Sequence, residues 1–423
     1  MKVAFYTLGC KVNSYETEVL TEKFIEKGCE IVPFSDIADI YVVNTCTVTA
    51  ISDRKSRTAL RNARKKNPSA IIVAAGCYPQ AAADELKKLN DIDIVVGTAN
   101  KYDLVELALK KAHTFSIPDI RKYIPYSNDI ALGNSTHTRA TLKIEDGCNN
   151  FCSYCKIPFA RGRVRSKPFA DAVKEFEGLV KSDYKEIVVT GIEIASYGED
   201  TGDSLAELLC KFDALCNEDT RIRLGSLEPR LITEDFTKKL SSLPHICPQY
   251  HLSMQSGCDT VLKRMNRKYD TVLFENSVAL LRKYIKDVQI TTDLIVGFPG
   301  ETDEEFEKTI EFLKKIRFLK VHVFPYSKRE GTTATRMSGQ LTKAVKLRRA
   351  GIAATHCDEI RKEILEGYVG KTVSVLFETQ KDGVWSGYTR NYIPVEYPSD
   401  KDLSNTVITV KIASSDGDTL TAK

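Results

Sequence analysis

Short apolar runs alternate with charged amphipathic ones through two long stretches of this 423-residue chain, and that alternation admits few architectures. Within residues 1–112, positions 3–8, 40–43, 70–75 and 92–96 read as strands. Positions 14–27, about 52–66, 80–89 and 101–111 read as helices between them. Strands joined by helical crossovers run parallel, so the pattern predicts a doubly wound α/β sheet. Residues 113–138 carry Pro118 and Pro125 without periodicity and read as a linker. From Arg139 the alternation resumes, with strands expected at 140–144, 186–190, 221–224, 250–254, 288–296 and 320–324. Six strand–helix units are too few for an eight-fold barrel, and an open (β/α)6 partial barrel fits them. After a charged helix at 342–366, residues 367–423 switch to period-two alternation with turn signals at Lys381-Asp382-Gly383 and Pro398-Ser399-Asp400. That tail predicts a small all-β barrel.

Composition narrows the class. Apolar residues at 42% and charged residues at 28% suit a folded globular protein, and a net charge of +4 is too small to announce a nucleic-acid partner. The chain has 12 cysteines, yet no cleavable apolar segment opens it and no apolar run reaches membrane-spanning length. The expectation is a reduced, cytoplasmic, multidomain protein with no membrane partner, whose thiols need another explanation; metal is the first candidate.

The sharpest motif is Cys148-Asn-Asn-Phe-Cys152-Ser-Tyr-Cys155, placed just after the first strand of the second α/β region. Three thiolates without a nearby histidine fall one ligand short of a structural zinc. Soft thiolates suit an iron–sulfur cluster, and three of them leave one iron of a [4Fe–4S] cube open. A zinc knuckle or chance clustering is the competing reading. A second trio is distant in sequence: Cys10, Cys46 and Cys77 each follow a strand of the first region. Carboxyl ends of parallel strands line one crevice, so the three thiols are expected to meet there. Cys29, Cys210, Cys216, Cys247, Cys258 and Cys357 share no such spacing and read as bystanders.

The Cys148–Cys155 motif resembles that of the radical S-adenosylmethionine (SAM) enzymes, with Tyr154 at the aromatic position that flanks the adenine of SAM. Along its whole length the chain resembles the radical SAM methylthiotransferases. The resemblance rests on Leu8-Gly9-Cys10-Lys11-Val12-Asn13, Asn44-Thr45-Cys46, Gly76-Cys77, Asp146-Gly147-Cys148 through Arg161-Gly162-Arg163, and His251 through Gly257. It implies a methylthiotransferase domain at 1–112, a linker at 113–138, a radical SAM domain at 139–366 and a TRAM barrel at 367–423. The opening and the run Phe159 through Ser166 look like the branch that methylthiolates C2 of N6-threonylcarbamoyladenosine beside the tRNA anticodon. Relatives acting on isopentenyladenosine or on a ribosomal-protein aspartate are the alternatives. A non-catalytic, zinc-bearing RNA-binding protein is a more distant one.

The resemblance implies two [4Fe–4S] clusters, a radical-generating one on Cys148, Cys152 and Cys155 and an auxiliary one on Cys10, Cys46 and Cys77. It further implies SAM, tRNA, and an electron donor such as flavodoxin or ferredoxin. Thr190, Gly191, Ser226, Glu228, Gln255 and Gly297, at the ends of barrel strands, are expected beside SAM. Arg264 or Arg267 is expected at its carboxylate or at a phosphate. For RNA the signal is local. Seven cations and no acid lie between Arg54 and Lys66, and Arg54, Lys55, Arg57, Arg61 and Arg64 are expected to follow phosphates. Arg161, Arg163 and Arg165 form a second basic cluster. The tail from Gly367 holds six Lys plus Arg against seven Asp plus Glu, so any grip it has on RNA is expected around Arg390, Tyr388 and Tyr392.

Overall fold

The computed structural model describes residues 1–122, 124–127, 129–130 and 138–423. Positions 123, 128 and 131–137 of the expected linker lie outside the described residues. The start of that stretch is regular, because Thr114–Ser116 pairs parallel with Ile94–Val96.

The first sheet is six-stranded, in the order Glu30–Val32, Lys2–Thr7, Ile40–Thr45, Ile71–Gly76, Ile94–Val96 and Thr114–Ser116, and every pairing is parallel. Ile40–Thr45 and Ile71–Gly76 are buried at every residue, as parallel strands covered on both faces must be. Leu20 and Phe24 of the helix Lys11–Glu26 pack on one face, and Leu60 and Ala63 of Ala50–Lys66 on the other. Two details differ from expectation. Glu30–Val32 is an edge strand too short to show a period, and the helix expected at 80–89 is broken into Cys77–Ala81 and Ala83–Leu86 at Ala82.

The second region holds the parallel strands Arg139–Lys143, Glu186–Thr190 and Arg221–Leu224, then Ser226–Leu227, Gln249–Leu252, Gln289–Val296 and Lys320–Pro325. The chain crosses from one group to the other at Gly225, which makes one open partial barrel. Side chains alternate across it. Leu142, Ile187, Val189, Leu224, Leu252 and Leu294 face outward into one core with Phe176, Phe212, Leu281 and Leu313 of the surrounding helices. Each such burial contributes roughly 1.5–3 kcal/mol. The opposite parity, with Lys143, Glu186, Arg223, Gln249, His251 and Asp293, turns a polar surface to the concave side.

The tail closes a five-stranded barrel from Thr372–Lys381, Val384–Thr389, Pro394–Pro398, Leu420–Ala422 and Thr406–Ser415 around Val375, Phe377, Trp385 and Val395. Its 388–392 turn, the expected RNA grip, is docked on the partial barrel. Tyr388 and Tyr392 stack at 4.8 Å, with the Arg139 guanidinium 4.7 Å from the first ring and that of Arg223 4.5 Å from the second. Arg390 donates to the Ile246 carbonyl at 3.1 Å, and its own carbonyl accepts from Arg223 at 3.0 Å. Beneath the turn, Glu186 receives Arg139, Arg221 and Arg223 at 3.2, 2.7 and 2.7 Å. Burial alone would raise the Glu186 pKa, but these arginines hold it well below the carboxylate range.

Candidate active site

The loop carrying Cys148, Cys152 and Cys155 crosses the carboxyl end of the partial barrel, and each sulfur meets a donor. Cys148 Sγ accepts from the Asn150 amide at 3.5 Å, Cys155 Sγ from the Ile157 amide at 3.4 Å, and Cys152 Sγ from Arg267 at 3.2 Å. Such donors favour thiolate over thiol. Burial pushes the free Cys148 and Cys155 thiols up to about 12, so loading a metal must displace their protons. Tyr154 packs edge-on against Phe298 at 6.3 Å.

Of the residues expected beside SAM, Arg267 is the one that touches a cysteine sulfur. It is half-buried, donates to Tyr269 Oη at 2.9 Å as well as to Cys152, and lies 3.9 Å from Glu228. Arg264 is engaged elsewhere, paired with Glu305 at 2.6 Å. Thr190 is buried at its strand end, with Gly191 next, and Ser226 is exposed. The Gln255 amide donates to the Asp293 carbonyl at 2.9 Å, and the Gly297 amide to Glu301 at 2.7 Å. Sequence reasoning missed Glu193. This residue is buried, and its Oε1 has no hydrogen-bond partner among the described residues. Burial, and then the Glu228 charge, raise its pKa to about 7. A carboxylate with one unpartnered oxygen beside Glu228 suits a cationic ligand rich in donors, which describes SAM.

Cys10, Cys46 and Cys77 do assemble at the strand ends of the first sheet, close enough for their charges to act on one another. Two glycines make this possible. Gly9 has φ +107°, and a Cβ there would stand 2.7 Å from Cys46 Cβ; Gly76 has φ +100°, and a Cβ would stand 2.8 Å from Asn44 Oδ1. Asn13 ties the turns together by donating to the Leu8 and Thr45 carbonyls at 2.6 and 2.8 Å, and Thr45 Oγ1 accepts from the Tyr78 amide at 3.1 Å. The motif residues around each cysteine thus hold the other turns in place. Among the described residues no three Cys, His, Asp or Glu side chains converge as ligands of a single ion. A cube binds each thiolate on a different iron, so its ligands stand apart.

Arg161 joins the two regions. It is fully buried and donates to Cys77 Sγ at 3.3 Å, Asn13 Oδ1 at 2.6 Å, Glu16 Oε2 at 3.0 Å and Asp146 Oδ2 at 3.1 Å. Lys101 also pairs with Glu16, while Lys143 reaches Glu16 at 3.0 Å and Asp146 at 2.6 Å. Arg165 lies 3.4 Å from Asp146. Four cations therefore surround two carboxylates, and the surplus positive charge lies against Cys77, where an anionic thiolate set would sit. Burial would raise the Glu16 pKa, but Arg161, Lys101 and Lys143 outweigh it and hold it well below the carboxylate range. Glu16 had one sequence signal, a charge on the buried stripe of Val12, Tyr15, Val19 and Leu20. A second link runs from Arg329 to Thr47 at 2.8 Å and to Asp53 at 2.6 Å, beside Cys46.

These facts correct the basic clusters. Arg161 and Arg165 are buried ion-pair residues, so of the second cluster only Arg163 is presented to solvent. On the helix Ala50–Lys66, Arg64 is engaged by Asp93 at 2.6 Å and Arg57 by Tyr78 Oη at 2.5 Å. Arg54, Lys55, Arg61 and Arg163 are exposed.

Residues 2–97 match the uncharacterized protein family UPF0004, and residues 142–313 match the radical SAM superfamily. A threonylcarbamoyladenosine tRNA methylthiotransferase MtaB of Bacillus subtilis is 40% identical over 420 residues, covering 97% of this chain and 93% of its own. The Aquifex aeolicus protein of the same name is 37% identical, covering 96% and 99%. The chain belongs to the radical SAM methylthiotransferase family. A tRNA-2-methylthio-N(6)-dimethylallyladenosine synthase of Acetivibrio thermocellus, at 32% identity, covers 96% of this methylthiotransferase and 87% of its own chain. Among solved structures, the radical SAM methyltransferase TsrM of Kitasatospora setae shares the fold, with TM-score 0.57, 14% identity and coverage of 85% and 89%. A radical SAM methylthiotransferase uses a [4Fe–4S] cluster and SAM, and the thiol donors and the orphaned Glu193 fit both. No helix among the described residues is long and apolar enough to cross a membrane.

Proposed function

We propose that this enzyme methylthiolates C2 of N6-threonylcarbamoyladenosine beside the anticodon of tRNA, with one [4Fe–4S] cluster on Cys148, Cys152 and Cys155 and a second on Cys10, Cys46 and Cys77. Its domains are the methylthiotransferase domain at 1–112, the radical SAM domain at 139–366 and the TRAM barrel at 367–423, and it works in the cytoplasm with a flavodoxin- or ferredoxin-like donor. The observation that carries the reading is Arg161. A side chain following the first cysteine loop touches Cys77 of the other trio, so both trios serve one space.

An adenine C2–H is not acidic and carries no leaving group, which rules out acid–base and nucleophilic routes. When bound, the clusters and SAM supply hydrogen-atom abstraction and the sulfur and methyl that replace it. The chain supplies position: Arg267 holds Cys152, Glu193 and Glu228 accept donors from SAM, and Arg161 steadies Cys77. Lys11 supports the threonylcarbamoyl substrate. It follows Cys10 and is open to solvent within the crowded concave space, where the surrounding atoms first and Arg223 next lower its pKa from the usual lysine value. It has no ion-pair partner among the described residues. A threonylcarbamoyl group brings a carboxylate to meet that cation, whereas a dimethylallyl group brings none. Nucleoside analysis of tRNA from cells lacking the gene is the test. Loss of the 2-methylthio-threonylcarbamoyl nucleoside alone supports the reading, and an unchanged content contradicts it.

A further inference from the structure

Two phenylalanines beside the first trio stay exposed in the folded chain. Phe151, immediately before Cys152, is 39% exposed and Phe159 is 52% exposed, and their rings meet edge to face at 6.0 Å. The guanidinium of Arg163 lies 5.0 Å from the centroid of the Phe151 ring, and this exposed cation has no ion-pair partner among the described residues. Both rings are held outward by the fold. Phe151 has φ +46°, a left-handed conformation that a bulky side chain rarely adopts, and Asn266 fixes it by donating to its carbonyl at 3.0 Å. Phe159 rides on the short helix Ile157–Arg161, which is anchored at its far end by Thr98 Oγ1 donating to the Ala160 carbonyl at 2.7 Å and by the buried Arg161. That helix packs on Cys77–Ala81, so the ledge stands where the surroundings of the two trios meet.

Chemistry at a base edge requires the base to leave its stack, and that exposes the faces of its neighbours. An unpaired RNA loop recovers the lost stacking on aromatic side chains, with an arginine serving the adjacent phosphate. The geometry points to Phe151, Phe159 and Arg163 as a stacking ledge that receives a base flanking the target adenosine of the RNA loop. This assignment rests on the tRNA reading above and adds the surface that holds the opened loop. Fixed rings beside an unpaired cation favour a planar π ligand bearing negative charge over an apolar protein segment.

The test uses the full-length reconstituted enzyme and an anticodon stem-loop RNA with 2-aminopurine next to the target position. Wild type is expected to bind it and change its fluorescence. The double variant Phe151→Leu, Phe159→Leu keeps apolar bulk without π faces, and is expected to bind roughly tenfold to a hundredfold more weakly and to lose the fluorescence change. Its salt slope stays that of wild type, whereas Arg163→Ala lowers the slope by about one. Phe159→Leu alone lies outside the cysteine loop, so it reads the ledge without touching cluster assembly; Phe159→Trp restores binding. Wild-type affinity and fluorescence in the double variant overturn the ledge. A wild type that does not bind the stem-loop at all overturns the tRNA reading as well.

Discussion

The two cysteine trios are built by opposite means. Cys148, Cys152 and Cys155 lie within one loop after one strand, and backbone amides supply two of their three sulfur donors. Cys10, Cys46 and Cys77 are brought together only by a sheet, by two glycine turns and by asparagine ties across three segments. That assembled site also leans on the second α/β region, through Arg161 and its buried ion pairs. A local site tolerates change elsewhere in the molecule, whereas an assembled site depends on domain docking. The two trios should therefore respond very differently to substitution.

The largest contrast is expected at the ligands themselves. Cys152→Ala should abolish 5′-deoxyadenosine release and lower the iron content from about eight to about four per chain. Release that survives this change would break the assignment of the radical site. Arg161→Met comes next. Removing the central cation leaves Glu16 and Asp146 short of partners, which costs about 3–5 kcal/mol in a buried network and should appear as a large fall in melting temperature. Because the network holds Glu16 and Asp146 below their unfolded values, its stability is present above those values and is lost as pH falls through the folded ones. Arg161→Met should therefore unfold at a higher pH than wild type during acid titration. Arg163→Ala, at the exposed end of the same segment, should leave the melting temperature nearly unchanged.

A smaller effect is expected at Glu193. Burial and Glu228 raise its pKa to about 7, so its charged form grows as pH rises through that value. SAM affinity measured calorimetrically should rise by up to about tenfold from pH 6 to pH 8, and Glu193→Gln should flatten the profile. A wild-type profile that falls with pH would remove Glu193 from the site. The smallest effect belongs to the exposed cations. Arg54→Ala and Arg61→Ala should each lower the salt slope of tRNA binding by about one, with little change in iron content.

Local spacing and strand ends were the legible parts of this molecule. The 148–155 trio is written in one loop, and the 10/46/77 trio could be inferred because each cysteine follows a strand. Interfaces between regions were not legible. Arg161 reads as surface charge because nothing local reveals that Glu16, from a helix in the other region, pairs with it, and Arg165 because its partner Asp146 lies on a separate strand. Arg390, Tyr388 and Tyr392 carry the composition of an RNA grip, but the three arginines around Glu186 draw their turn onto the partial barrel. Glu193 was missed because a lone acid after a strand has no period or spacing to mark it. Its burial and missing partner exist only in the folded chain.

Iron and sulfide counting on the triple variant Cys10→Ala, Cys46→Ala, Cys77→Ala, with 5′-deoxyadenosine release measured on the same sample, tests the division between the two trios most directly. The account predicts about four irons where wild type holds about eight, release that persists, and no methylthiolated nucleoside. A triple variant that keeps the wild-type iron content, or that loses release together with transfer, would contradict it.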